Sequence, residues 1–424
     1  MEMVLEFLRD VLSQPALLIG IMSCIGLIAL KRPFHKIMTG TLKPILGYLM
    51  LAAGAGVIVS NLDPLGKMIE HGFHITGVVP NNEAIVAVAQ KVLGVETMSI
   101  LVVGLLMNLC IARFTKFKYV FLTGHHSLFM ACLMSAVLGT AGLSGMELIL
   151  VGGFLMGAWS AISPAIGQSY TSKVTDGDEI AIGHFGSLGY YLSAWVAKYV
   201  GKAEDSTEDI EIPEKWGFLR DSTLSTALTM IVFYLIAAFA AGSEFVATLS
   251  GDMSPYLYAV MSAMNFAVGV TIVYSGVRMI LGDLIPAFQG IATKIIPNAI
   301  PAVDCAVFFT YAPTAVVLGF LSSFIGGIIG MLILGAVGGV LIIPGLVPHF
   351  FCGATAGIYG NATGGRRGAA VGAFLNGLAI TFLPALALPV LGQLGFQNTT
   401  FGDADFAVGR ASCSVPPVVA LPGC

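Results

Sequence analysis

The sequence predicts an all-α polytopic membrane protein of about ten transmembrane helices with shorter re-entrant hairpins between them. Three observations carry that prediction: the composition, the lengths of the apolar runs, and a faint echo between the two halves of the chain. Of 424 residues, 56% are apolar and only 10% are charged, and the mean hydropathy is +0.89. Ordinary soluble domains carry about 25% charged residues, so a core of this size cannot hide that much apolar surface from water. Lipid is its solvent.

A run of about 20 apolar residues is long enough to cross the hydrocarbon as a helix. Such runs fall near 15–31, 42–60, 97–116, 119–143, 146–163, 223–245, 254–276, 318–339, 340–363 and 368–392. Shorter apolar pieces at 83–94, 184–200 and 303–317 are interrupted by Gly, Pro or polar residues. These read as hairpins that enter and leave on one side, which is tolerable only where protein or a water-filled cavity covers the backbone. The echo has a shift of about 220 residues: Gly56-Val57, Asp63 and Glu83 are answered by Gly276-Val277, Asp283 and Asp304, and Phe121 to Gly124 by Ile342 to Gly345. Two related halves holding a substrate between them near mid-bilayer are characteristic of transporters.

Basic residues set the expected orientation. Lys31, Arg32 and Lys36, then Arg113, Lys116 and Lys118, then Arg366 and Arg367 lie between successive spans, and the bias of positive charge toward the cytoplasm places those loops inside. The N-terminus is then extracytoplasmic. Its Glu2, Glu6 and Asp10 against Arg9 reverse the basic start of a signal peptide, so the first helix is expected to stay. Residues 201–222 carry seven carboxylates against Lys202, Lys215 and Arg220, which reads as a solvated cytoplasmic connector or, alternatively, as a docking surface for a cytosolic partner.

Several chemistries are not expected. Cys24, Cys110, Cys132, Cys305 and Cys352 lie in apolar segments, where free Cys behaves as a small hydrophobe, and no pair has zinc-ligand spacing. The sequence has no phosphate-binding Gly-rich loop ending in Lys-Ser/Thr, so hydrolysis of ATP is not expected of it. No cofactor, resident metal or nucleic-acid partner is predicted.

Ionisable groups at membrane depth cost several kcal/mol unless they face a cavity or a partner, so each is a functional candidate. Asn82 and Glu83 open the first hairpin after Pro80, His125 and His126 follow Thr123-Gly124, His184 opens the second hairpin beside Gly183, and Asp304 occupies the position that echoes Glu83. Carboxylates, imidazoles and nearby glycines suit a small polyhydroxylated ligand, with bidentate acceptors for paired hydroxyls and room for close approach. Blander roles stand beside these. His126 and His349 are also read as polar bridges between helices, and Asp63 and Asp283 as turn or helix-end residues at the membrane edge. Glu83 and Asp304 are alternatively members of intramembrane ion pairs, although neither has a base at helical spacing.

Leu122-Thr123-Gly124-His125, Val174 to Gly177 with Ile182-Gly183-His184, Gly276 to Met279, Ile296 to Ala299 with Asp304-Cys305-Ala306, and Leu341 to Gly345 resemble the membrane component, enzyme IIC, of the ascorbate family of the bacterial phosphotransferase system. The resemblance runs from the first span to about residue 390. It implies a homodimer in the bacterial inner membrane, each protomer pairing a V-shaped scaffold with a transport core made from inverted repeats. It also implies an elevator-like motion of the core, modification of the sugar by a separate phosphorylated enzyme IIB, and cytosolic enzyme IIB and IIA components as partners. On that basis 1–60 and 223–276 are expected to be scaffold, 61–200 and 277–424 core, and 201–222 the connector.

Carried over by position, the family's substrate contacts fall on Asn82, Glu83, His125, Phe129, His184, Phe185 and Asp304, with His126 beside them. The known ascorbate carriers have tyrosine where this chain has Glu83, and glutamines where it has Phe129 and Phe185. An added carboxylate disfavours an anion, and phenylalanine faces suit the C–H surface of a sugar ring. The expected substrate is therefore L-ascorbate or a related sugar or polyol, and the alternative is an ion-coupled secondary transporter of a small polyhydroxylated solute. Asp304 and Glu83 are expected to hold hydroxyls, with His125 and His184 as donors or, for one of them, as the base that takes the proton of the attacking hydroxyl. The shift also expects the partner of the His184 hairpin to begin near residue 405, with the sequence stopping inside it.

Overall fold

The computed structural model describes residues 11, 14–74, 77, 78, 80, 82–177, 180–210, 222–393 and 400–406. The first half runs α1 (Pro15–Ala29), α2 (Phe34–Phe73), α3 (Asn82–Phe114), β1 (Tyr119–Phe121), α4 (Gly124–Thr140), α5 (Gly145–Thr175), β2 (Ala181–Ile182) and α6 (Ser187–Val200). The second runs α7 (Ser222–Ala241), α8 (Ser243–Ser250), α9 (Pro255–Lys294), β3 (Ile300–Val303), a 3₁₀ turn over Cys305–Thr310, α10 (Pro313–Ala336) and α11 (Leu346–Gln393).

Six of the described helices are long and apolar enough to cross a membrane: α2, α3, α5, α9, α10 and α11. A seventh span results if α7 and α8, bent by 116°, are taken together. The ten expected runs map onto fewer spans for physical reasons. α1 has 15 residues and α4 has 17. At 1.5 Å per residue each is roughly 22–26 Å long, short of the ~30 Å hydrocarbon. The apolar run at 119–143 divides because its first residues form β1 and the helix starts only at Gly124. The piece at 83–94 is helical and continuous with the rest of α3.

Two expected spans share α11, which breaks at Gly364 and Gly365, where Gly365 has φ 59°. A Cβ at Gly360 would collide with the Gly368 carbonyl, although eight residues of straight helix span about 12 Å, so the chain folds back on itself here. α10 lies along both arms, with Gly319 against Gly353 and Gly357 on one and Gly330 against Thr381 on the other.

The helices pack in two groups. In the first, α2 and α9, each of 40 residues, cross with their backbones in contact. A Cβ at Gly54 would stand 2.8 Å from the Gly269 carbonyl, and one at Gly276 would stand 2.6 Å from the Gly47 carbonyl. Lipid offers helices no hydrophobic drive to associate, so close approach at small residues supplies the packing. α1 and α7 join this pair. The second group holds α3, α4 and α5 on one side and α6, α10 and α11 on the other.

The extended segments cross between the halves. β3 lies between β1 and β2 in a parallel sheet, with Phe121 opposite Ala302 and Ile182 opposite Val303. In a second, smaller arrangement, Val78 pairs with Ile342 and Pro80 with Thr400. A strand of the second half thus sits between two of the first, and a strand of the first pairs with two segments of the second. Asn108 of α3 fixes β1 from the side, donating to the Tyr119 carbonyl at 3.1 Å and accepting from the Phe121 N–H at 3.0 Å.

The connector is not wholly solvated over its described part. Glu208 accepts from the N–H groups of Thr314 and Ala315 at 3.1 Å, which supplies a carboxylate to the positive end of α10. Arg366 N–H donates to the Asp205 carbonyl at the fold of α11. Residues 211–221 lie outside the described residues, as do 1–10 and 407–424, and with them the expectations for the N-terminal start and the last hairpin.

Candidate functional site

The carboxyl ends of the three parallel strands deliver the site. Asp304 directly follows β3 and caps the 3₁₀ turn, its Oδ1 accepting from the Ala306 N–H at 3.0 Å. β1 leads through Thr123 into α4, whose second and third residues are His125 and His126. β2 leads through Gly183 to His184. A Cβ at Gly183 would meet the Ala302 carbonyl at 2.5 Å, so only glycine lets this strand end lie against β3.

Four side chains converge there. His125 Nε2 lies 3.3 Å from Asp304 Oδ2, and its Nδ1 lies 3.3 Å from the Tyr48 hydroxyl of α2. A carboxylate only accepts, so Nε2 carries the proton and Nδ1 accepts from Tyr48. His126 is buried, its ring 4.7 Å from that of His125 and 3.8 Å from that of His184. His126 Nδ1 has no hydrogen-bond partner among the described residues.

The tautomer of His184 is settled by its neighbours. Its Nδ1 accepts from the Gly186 N–H at 3.1 Å and faces the Tyr190 hydroxyl at 2.8 Å, so the neutral ring carries its proton on Nε2. His184 is thus held as a hydrogen-bond donor by a backbone group that cannot reverse its role.

A second set closes the site from the other strand cluster. Asn82 donates to Asp403 Oδ2 at 2.6 Å and accepts from the Gly402 N–H at 2.9 Å, while Cys352 of α11 donates to Asp403 Oδ1 at 2.8 Å. Asp405 fastens the same segment to the His184 turn, accepting from Ser187 Oγ at 2.7 Å and the Leu188 N–H at 2.9 Å.

Of these groups, Asn82, His125, His126, His184, Asp304 and Asp403 face a cavity of about 1190 Å3 between the two helix groups, large enough for a sugar-sized ligand. Tyr48, Leu51 and Phe233 wall it from the α2 side, and Phe129 and Phe351 from the other. Asp63, Glu70, Asp304 and Asp403 line it against one Lys or Arg side chain, Lys67, and the three imidazoles, among the described lining residues.

Of the residues singled out from sequence, Asn82, His125, His126, Phe129, His184 and Asp304 come together on this cavity. Phe185 does not line it. It is fully buried, stacked on Phe121 at 4.8 Å and edge-on to the His126 ring at 6.1 Å. Glu83 lies in the first turn of α3, and its side chain is outside the described residues. His349 sits away from the cavity lining, bonded through Nδ1 to Ser323 at 2.9 Å across α10 and α11, and Asp283 pairs with Lys43 at 3.6 Å.

Sequence reasoning missed Tyr48, Asp403, Cys352 and Tyr190. Only Asp403 carried a signal, because the repeat shift places 402–405 opposite the segment around His184. Two trios, His125–His126–Asp304 and His184–Cys352–Asp403, have the donor chemistry of a transition-metal site, with ligand atoms within 4.8 Å of one another. Protein hydrogen bonds already engage both ring nitrogens of His125, Nδ1 of His184 and both carboxylate oxygens of Asp403.

Long apolar helices around a largely apolar cavity that holds a few converging imidazoles and carboxylates mark a multi-pass membrane protein. The chain belongs to the EIIC-GAT family, the sugar-specific permease components of the phosphotransferase system, whose match spans residues 10–405. It is similar to the ascorbate-specific PTS system EIIC component of Mycoplasma pneumoniae, at 28% identity over 417 residues. That similarity covers 84% of this chain and 62% of the relative, so the chain spans less than two thirds of the relative's length.

Proposed function

We propose that this chain is the enzyme IIC that binds L-ascorbate or a related sugar or polyol and carries it across the bacterial inner membrane, with phosphorylation by a separate enzyme IIB that enzyme IIA recharges. The observation that carries the reading is the convergence of His125, His126, His184, Asn82 and Asp304 on one cavity between two helix groups. Hydroxyl-rich ligands need such a mixture of fixed donors and fixed acceptors. The excess of carboxylates over the single Lys67 favours a ligand of little negative charge, and Phe129 offers a face for ring C–H groups.

In this reading His184 donates through Nε2 to a substrate oxygen, Asp304 accepts from a hydroxyl, and Asn82 and Glu83 complete the ring of polar contacts. Phe185 serves from behind, packing against the imidazole of His126. The couple of Asp304 and His125 takes the proton of the attacking hydroxyl when the phosphoryl donor arrives, as carboxylate–imidazole pairs do elsewhere. The phosphoryl group never resides on this chain.

The two halves form an inverted repeat. The equal lengths of α2 and α9 and the exchanged strand pairing support this, as does the reciprocal packing of Gly47 on Gly276 and Gly54 on Gly269. The group built on α2 and α9 is the scaffold of a homodimer, and the group carrying the site is the core that slides against it, with the N-terminus outside. The test is uptake by inside-out and right-side-out vesicles supplied with phosphorylated IIB. Accumulation of a phosphate ester supports the reading. Uptake of unmodified solute driven by an ion gradient would replace it with a secondary transporter.

A further inference from the structure

We infer that Tyr48 is a positioning residue of the substrate site, a latch on His125 that holds the site-bearing helix group against α2 in the arrangement seen here. The inference rests on the function proposed above.

The Tyr48 hydroxyl donates to His125 Nδ1 at 3.3 Å, and the ring is buried on the cavity wall. His125 and Asp304 belong to the other helix group, so this hydrogen bond spans the boundary between the two. Its height on α2 is fixed by the neighbouring residue. A Cβ at Gly47 would stand 2.9 Å from both the Gly276 carbonyl and the Ile280 N–H, so α2 and α9 are locked together at the level of Tyr48. At the comparable place on α9, Val270 follows Gly269 as Tyr48 follows Gly47, and it brings no polar group. Among the described residues, Tyr48 is the one group of α2 or α9 hydrogen-bonded to the imidazoles of the site.

The consequence concerns which atom of His125 is free. With Nε2–H directed at Asp304 and Nδ1 held by the tyrosine, both ring nitrogens are engaged. The imidazole is therefore oriented for a ligand but has no open nitrogen to accept a proton. Sliding the site away from α2 breaks the bond to Tyr48 and leaves Nδ1 open while Asp304 still holds Nε2. Tyr48 thus keeps the base masked in one arrangement and exposes it in the other, linking proton acceptance to position.

Tyr48→Phe keeps the ring and deletes the hydroxyl. A neutral hydrogen bond of this kind shifts an equilibrium by roughly three- to tenfold. The purified full chain carrying this change is expected to melt as the wild type does and to bind ascorbate or a neutral polyol, whichever the wild type binds, about three- to tenfold more weakly. The maximal uptake rate in vesicles should be maintained or raised, because the latch no longer opposes the slide. The double variant Tyr48→Phe/His125→Gln should bind no more weakly than His125→Gln alone, since the hydroxyl acts through the imidazole. Additive losses in the double variant, or an unchanged KM with a lowered maximal rate in Tyr48→Phe, would overturn the inference. Absence of a phosphorylated product in the wild type would instead sink the enzyme IIC reading, and the binding cycle would still decide the role of Tyr48.

Discussion

Two clusters of extended chain open on the same cavity, and they are held together by different means. The cluster of β1, β3 and β2 is a registered parallel sheet, and its strand ends hand over His125, Asp304 and His184. The other consists of single bridges, Val78 to Ile342 and Pro80 to Thr400, and it hands over Asn82 and Asp403. In the first, backbone hydrogen bonds between strands fix the position, and the side chains bond one another or their own turns rather than fastening the strands. In the second, the side chains themselves do the fastening, through Asn82, Asp403 and Cys352. A polar group whose partners are buried is expensive to orphan, so function and stability are separable in the first cluster and entangled in the second.

The largest expected effect comes from the first cluster. Asp304→Asn keeps the size of the side chain and an acceptor for the Ala306 N–H, but removes the charge opposite His125. A hydrogen bond to a charged group contributes about 1.5–3 kcal/mol, so substrate affinity should fall roughly 10- to 150-fold with the melting temperature nearly unchanged. Isothermal titration alongside a thermal melt checks this, and normal binding by the variant would remove Asp304 from the site. Next in size is Asp403→Ala, which strands the Asn82 amide and the Cys352 thiol. Its expected signature is the reverse, a loss of about 1–3 kcal/mol in stability together with weakened binding. If Asp403→Ala melts like the wild type, the contrast between the clusters is wrong.

Tyr190→Phe sharpens the comparison from within the first cluster. It removes one hydrogen bond from His184 Nδ1 and leaves that from the Gly186 N–H, so the tautomer persists while the ring loses a restraint. Binding is expected to weaken by a few-fold, the equivalent of about 1 kcal/mol. A loss as large as that of Asp304→Asn would mean that the hydroxyl itself reaches the ligand.

The same contrast explains what the sequence made legible. His125, His184 and Asp304 stand out because ionisable groups inside apolar runs are costly, and all three end strands of the backbone-held cluster. Asp403 lies beyond the last apolar run, where a carboxylate reads as an ordinary loop residue, and Tyr48 is an unremarked aromatic inside a span. Phe129 and Phe185 look alike in sequence. Only the turn between β2 and α6 decides that one lines the cavity while the other packs on Phe121. Apolar runs marked where helices cross but could not reveal that Tyr119 to Phe121 form a strand, since a short apolar run has no period that separates strand from helix. The acidic connector read as solvated because the use of Glu208 as a cap for α10 depends on a contact far along the chain.

The smallest expected effect is the most discriminating for the side-chain-held cluster. Cys352 donates through sulfur to Asp403 Oδ1, and a thiol is a weak donor. If the cluster depends on that bond, Cys352→Ser should be nearly neutral, because a stronger hydroxyl donor offsets the shorter reach of its side chain and the loss of a polarisable, well-packed sulfur. Cys352→Ala should then cost about 1 kcal/mol, because Asp403 loses a partner while Asn82 still holds its other oxygen. If packing rather than hydrogen bonding secures this place, the order reverses: alanine becomes the milder change, and serine pays for burying a hydroxyl among apolar neighbours. A pair of thermal melts on the two variants separates these cases, since they differ in sign and not merely in size.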